Sequence, residues 1–240
     1  MTKPEAETGE RWTSLLFDPP NPVAAIATAL TLAHLVVVLA PHRVAARIWR
    51  LFDLAPSQVL RAASEGEYLN VARPFLGHMF FHVNLPHLLI NLAAVLVFGG
   101  FLCREMETQA SERKSDGPAA FIAFFVLCGL AGGLAYVMTA QAGSTPMIGA
   151  SGAAAGLAGA SLWVFVTRDS DGRPSGGVAR NAAILALISV IVISLSFFLD
   201  TSKLSRFLFG SISAWQAHIG GYVFGLASYP LFERFAGRGR

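Results

Sequence analysis

Apolar residues in this chain are gathered into six long runs, at about residues 22 to 41, 83 to 102, 119 to 140, 147 to 167, 181 to 199 and 212 to 232, and none contains an Asp, Glu, Lys or Arg. A hydrocarbon core about 30 Å thick takes roughly 20 mostly apolar residues of helix to cross. The pattern predicts an all-α polytopic membrane protein, a bundle of six transmembrane helices spanning residues 22–232, with polar tails at 1–21 and 233–240. The first run is too long for a cleaved signal and follows a polar segment of mixed charge, so it reads as a retained helix.

Between the runs the chain differs from loop to loop. Residues 42–82 are too apolar and too basic for a plain linker: Arg47, Leu51 and Leu54 alternate with Trp49, Phe52 and Val59, as in a partly interfacial amphipathic segment. Residues 104–118 and 168–180 are short, charged and rich in Gly, Pro and Ser, the mark of simple connections. Six spans place both termini on one side. Lys and Arg number 11 on that side and 7 on the other, which makes the terminal side cytoplasmic by the positive-inside rule.

Composition narrows the function classes. Charged residues make up 14% of the 240 and apolar ones 54%, against about 25% charged for an ordinary soluble domain. The 18 basic and 15 acidic residues nearly balance and form no basic cluster, so a nucleic-acid partner is not expected. Cys103 and Cys128 both lie in or beside apolar runs, which excludes a disulfide framework or a structural zinc site. No cofactor or metal is expected.

Polar side chains within membrane spans are costly and are therefore the first candidates for function. Apart from hydroxyls able to bond their own helix, they are His34, His87 and Asn91, Ser151, and Gln216 with His218. At 1.5 Å of rise per residue, His87, Asn91, Ser151 and His218 all fall roughly 6 to 12 Å below the outer ends of their spans. His34 reaches a similar depth but has no companion on its own helix. His87 and Asn91, four residues apart, point the same way.

Ser151 lies in Gly149-Ala150-Ser151-Gly152, near a helix start whose backbone N–H groups lack intrahelical partners and could stabilise an oxyanion. Gly152, Gly156 and Gly159 make a small-residue face there; His218, Gly221 and Gly225 share another in the last span. Glycine-faced helices can bring their backbones nearly into contact, and this would carry an imidazole to a serine hydroxyl. Ordinary packing would also account for the glycines alone. His82, at the membrane edge, reads either as organising the entry region or as a solvated loop residue, and His42 and His78 carry no assignment.

These residues resemble the rhomboid intramembrane serine proteases over about residues 68 to 232. The resemblance is carried by His82-Val83-Asn84-Leu85-Pro86-His87-Leu88-Leu89-Ile90-Asn91, by Gly149-Ala150-Ser151-Gly152, and by His218-Ile219-Gly220-Gly221 with Gly225. It implies a multi-pass serine endopeptidase in which Ser151 is the nucleophile and His218 the base, with the Ser151 amide, His87 and Asn91 around the oxyanion. Substrates would be membrane-anchored proteins cut near the outer face, in a bacterial inner membrane. Two positions depart from the family. Ala155 replaces an aromatic ring that stacks on the catalytic imidazole, a part that Trp215 could take, and Ala72-Arg73-Pro74 replaces a Trp-Arg pair. Three rivals remain: a catalytically inactive relative that binds membrane proteins as a chaperone, a rhomboid that trims sorting signals, and a transporter, which would need polar residues continuing to the inner half.

Overall fold

The computed structural model describes residues 18–109, 117–140, 144–169, 173–200 and 214–236. The described residues form α1 (Asn21–Leu39), α2 (His42–Phe52), α3 (Pro56–Ser64), α4 (Tyr68–Gly77), α5 (Leu85–Ala94), α6 (Gly100–Gln109), α7 (Gly117–Thr139), α8 (Ser151–Thr167), α9 (Val178–Asp200) and α10 (Trp215–Ala236). They contain isolated bridges but no strand. Three stretches, Asn21–Leu39, Leu85–Glu107 and Gly117–Thr139, are long and apolar enough to cross a membrane, and Ser151–Thr167 and Val178–Ile191 are shorter apolar helices.

Local sequence sets the helix ends that matter for the site. Pro22 stands in the first turn of α1, where its missing N–H removes a donor that would have no partner anyway. Asn84 caps α5, its side chain accepting from the His87 amide at 2.8 Å, so the residue before the helix fixes the turn that carries His87. A π-helical turn at Val95–Gly99 joins α5 to α6 without a break. The apolar run at 83–102 thus continues as helix to Gln109, and residues 104–109, read from sequence as loop, belong to it. Charge alone suggested the connection; the backbone carries on because nothing in Arg104 to Gln109 stops a helix.

The fourth apolar run is also revised. Residues 147–150 are not helical, and α8 begins only at Ser151. Met147 pairs with Leu54 in a two-bond antiparallel bridge, and Gly149 sits at φ +123°, a conformation that favours glycine and ends helical continuity. At the other end, residues 178–180 join α9 instead of the preceding loop.

The first loop is a folded cap. α3 and α4 pack on the end of α7 around a small core in which Leu54, Val59 and Val137 are buried, with Val71, Phe75 and Met147 packed against them. The main core lies between the long helices, with Phe121, Phe124, Phe125, Leu157 and Tyr229 almost fully buried. At its centre α8 lies against α10. A Cβ on Gly221 would meet the Gly152 carbonyl, one on Gly225 the Gly156 carbonyl, and one on Gly159 the Tyr222 carbonyl. Such backbone contact is the usual means of association where lipid removes the hydrophobic drive between helices. Several hydroxyls bond their own helix, as with Ser161 to the Leu157 carbonyl at 2.8 Å, and are structural.

Candidate active site

Ser151 occupies the first position of α8, and its Oγ lies 2.8 Å from Nε2 of His218 on α10. The glycine seam makes this distance possible. Gly221 lies three residues beyond His218 on the same face, and its contact with Gly152 draws the two helix starts together. Both glycine faces expected from the sequence thus meet each other. The expected placement of Ser151 among the free amides of a helix N-terminus is also found, although the helix starts four residues later than the apolar run.

The pair opens into a cavity of about 290 Å³, whose lining includes His87, Asn91, Gly149, Ser151, Ala155 and His218. Among the described residues no carboxylate lines it. The structure therefore brings together all four residues that the sequence placed at one depth; Gln216 is not among the lining residues. Asn91 is buried, and its Nδ2 donates to the His87 carbonyl at 2.8 Å, which leaves a second N–H on the same nitrogen. His87 packs its ring against the backbone of Gly149, with Cε1 2.6 Å from where a Cβ would stand. Any side chain at 149 would displace it.

Three histidines gain a role that sequence reasoning left open or missed. His82 is not solvated: it is 1% exposed, and its Nε2 accepts from the Ala150 amide at 3.4 Å. Its ring stands edge-on to His87, with centroids 5.1 Å apart. His34, isolated on its own helix, finds its partner on another element, with Nδ1 3.1 Å from the His82 carbonyl. His78 is also buried and supports the segment before Ser151 from behind, its carbonyl accepting from the Gly149 amide at 2.8 Å. Its own Nδ1 lies 3.0 Å from the Pro74 carbonyl. Burial pushes the His78 imidazole down to about 4 and that of His82 down to about 3, so both are neutral near pH 7. The equal depth of His34 and the fixed spacing of His82 before His87 were the available signals.

A rhomboid domain matches residues 70–234. The chain belongs to the rhomboid family. Rhomboids are in general serine intramembrane proteases, and this one is a membrane protein by family and by its apolar helices. No curated protein matches the chain. In this rhomboid the position of the missing ring, Ala155, faces the cavity, and Trp215 opens α10 one turn before His218.

Proposed function

We propose that this rhomboid is an active intramembrane serine endopeptidase that spans the bilayer six times, with both termini in the cytoplasm of a bacterial cell. The observation that carries the reading is the 2.8 Å contact between Ser151 Oγ and His218 Nε2 inside a cavity. That is within reach for proton transfer from the hydroxyl to the imidazole.

In this mechanism His218 takes the Ser151 proton as Oγ attacks a peptide carbonyl of a membrane-anchored substrate, then delivers it to the leaving amine. Water then hydrolyses the acyl-enzyme: His218 takes a proton from the water as it attacks the ester carbonyl and returns it to Ser151 Oγ as the ester C–O bond breaks. The developing oxyanion is stabilised by the Ser151 amide, by His87 and by the second N–H of Asn91. Ser and His act as a dyad, without a carboxylate. Substrate helices must unwind locally to expose a carbonyl, so segments weakened by Gly or Pro with a small residue at the cut are favoured. Trp215 supplies the aromatic contact that Ala155 lacks. Trp215→Ala with unchanged turnover would remove that detail while leaving the dyad intact.

The test is covalent labelling by a fluorophosphonate serine probe in detergent-solubilised full-length protein. Labelling is expected in the parent and absent from Ser151→Ala and His218→Ala, with all three proteins folded. Labelling that survives Ser151→Ala would end the proposal. A folded parent that never labels would favour the inactive, membrane-protein-binding reading.

A further inference from the structure

The cavity beside Ser151 does not end at the dyad. It continues between α5 and α8, where Ala94, Phe98, Ala155 and Ala158 belong to its lining. The spacing of the lining residues traces its course. On α8, Ser151, Ala155 and Ala158 stand at i, i+4 and i+7, and they are the residues of 151–160 that are left partly exposed. Facing them, His87, Asn91, Ala94 and Phe98 repeat the same register along α5 and the π turn that follows it. At 1.5 Å of rise per residue, the slot reaches about 10 Å past Ser151.

Its two ends differ in chemistry. Ser151, His218, His87 and Asn91 gather at one end, whereas the other presents the methyl groups of Ala94, Ala155 and Ala158 and is closed by the Phe98 ring. Position 155 is where an aromatic ring would have filled the slot. Trp215 opens α10 and is not among the lining residues, so a ring that it offers to His218 does not refill the space. The whole cavity measures about 290 Å³, about twice the roughly 150 Å³ of an apolar cavity that takes a benzene molecule.

We propose that this slot takes the side chain of the substrate residue whose carbonyl Ser151 attacks, and that Ala155 and Ala158 set the size it admits, up to that of phenylalanine. The Cβ of that residue is two bonds from the attacked carbon, so its side chain starts at the mouth of the slot. The inference rests on the proteolytic reading and names a substrate class within it: membrane segments cut after leucine, methionine or phenylalanine as well as after small residues. A small residue at the cut eases unwinding, but the cavity does not require one. Charged side chains of similar length are excluded, because the inner end offers them no polar partner.

The experiment uses full-length protein in an uncharged maltoside detergent and N-acylated diphenyl aminoalkylphosphonates bearing a methyl, benzyl or carboxyethyl side chain. Phosphorus stands in for the carbonyl carbon: the bond from Ser151 Oγ to phosphorus forms, a P–O bond to phenoxide breaks, and the Oγ proton passes through His218 to the departing phenol. Labelling rates are read by intact mass beside those of a fluorophosphonate. The benzyl probe is expected to label the parent within about ten-fold of the methyl probe, and the carboxyethyl probe at least about ten-fold more slowly than the benzyl one. In Ala155→Leu and in Ala158→Leu the ratio of benzyl to methyl rates should fall about ten-fold or more, the scale on which an apolar pocket senses a misfit. Should one variant fail to fold, the other decides, and the parent series is decisive without either. Labelling by the fluorophosphonate with a benzyl rate more than about ten-fold below the methyl rate would overturn the proposal and leave the dyad standing. An unchanged ratio in a folded variant would overturn it equally. A folded parent that reacts with none of the probes would remove both the slot's role and the proteolytic reading.

Discussion

The seam between α8 and α10 and the cap formed by α2 to α4 converge on the same few atoms, and they do so by different physics. In the seam there are hardly any side chains: Gly152, Gly156, Gly159, Gly221 and Gly225 let carbonyls touch the facing backbone. In the cap the links are polar and directional, the Leu54–Met147 bridge and the His78–Gly149 and His82–Ala150 hydrogen bonds. Ser151 stands at the junction. Its helix belongs to the seam, which sets its distance to His218, while the segment leading into it belongs to the cap, which sets where the amides point. Steric exclusion is insensitive to pH and intolerant of any added atom; the cap, with two main-chain links, one bond through the His82 imidazole and the buried His78 ring behind them, is sensitive to pH.

The largest effect is therefore expected from Gly221→Val. Its Cβ would fall where the Gly152 carbonyl lies, and backbone on both sides leaves nothing flexible to move. Overpacking of this kind destabilises by about 3 kcal/mol or more. Any separation of the helices also parts a 2.8 Å contact one turn away, so probe labelling and proteolysis should both disappear. Unfolding midpoints and labelling measured together check this. A variant that stays folded and labels normally would mean that the seam does not set the dyad.

Next comes Gly149→Ala, which strikes the cap side of the junction. The substitution meets a φ of +123° and the His87 ring together. The Ser151–His218 contact is not touched, so labelling should persist, while turnover falls about 100-fold as the oxyanion donors shift, the scale of one lost donor. Equal losses of labelling and turnover would erase the distinction between the two regions.

A third test uses pH. The His78 imidazole lies at about 4 in the folded protein and near 6.5 when unfolded. Between those values the unfolded chain binds more protons, so stability is fully present above about pH 6.5 and is lost as pH falls towards 4, by about 3 kcal/mol. His82, lowered to about 3, adds in the same direction. Thermal unfolding at a series of pH values should show this fall, and His78→Gln should make it shallower. Gly221 variants, by contrast, should keep the parent's pH dependence. A parent protein equally stable at pH 4.5 and 7.5 would show that the cap is not held by neutral histidines.

What could be read from the sequence divides along the same line. Apolar run length located the apolar helices, three of them long enough to cross a membrane, and glycine spacing together with depth placed Ser151, His218, His87 and Asn91 around one cavity, because those signals are local and periodic. The cap is built from long-range polar contacts, and these leave little periodic trace. Nothing in residues 147–150 distinguishes them from the apolar helix they precede, except a glycine whose φ is visible only once His87 packs on it. His34 and His82 are 48 residues apart, and their bond appears only when α1 is packed beside the turn before α5. The folding of residues 42–77 into three helices, with a small core shared with Val137 and Met147, was read only as an amphipathic, interfacial tendency.

The smallest effect is expected at the cap surface. Arg61 and Glu65 form an i, i+4 ion pair at 3.3 Å with side chains 77% and 47% exposed. Water and salt screen such a pair, and ordering two long side chains offsets much of the attraction, so Arg61→Ala should cost less than about 0.5 kcal/mol in lipid-free detergent. The unfolding midpoint should also respond little to added salt. A loss of more than 1 kcal/mol, on the order of a buried charged hydrogen bond, would place Arg61 within the cap's polar framework. The cap would then be held by charge as well as by neutral imidazoles, and its contrast with the seam would widen.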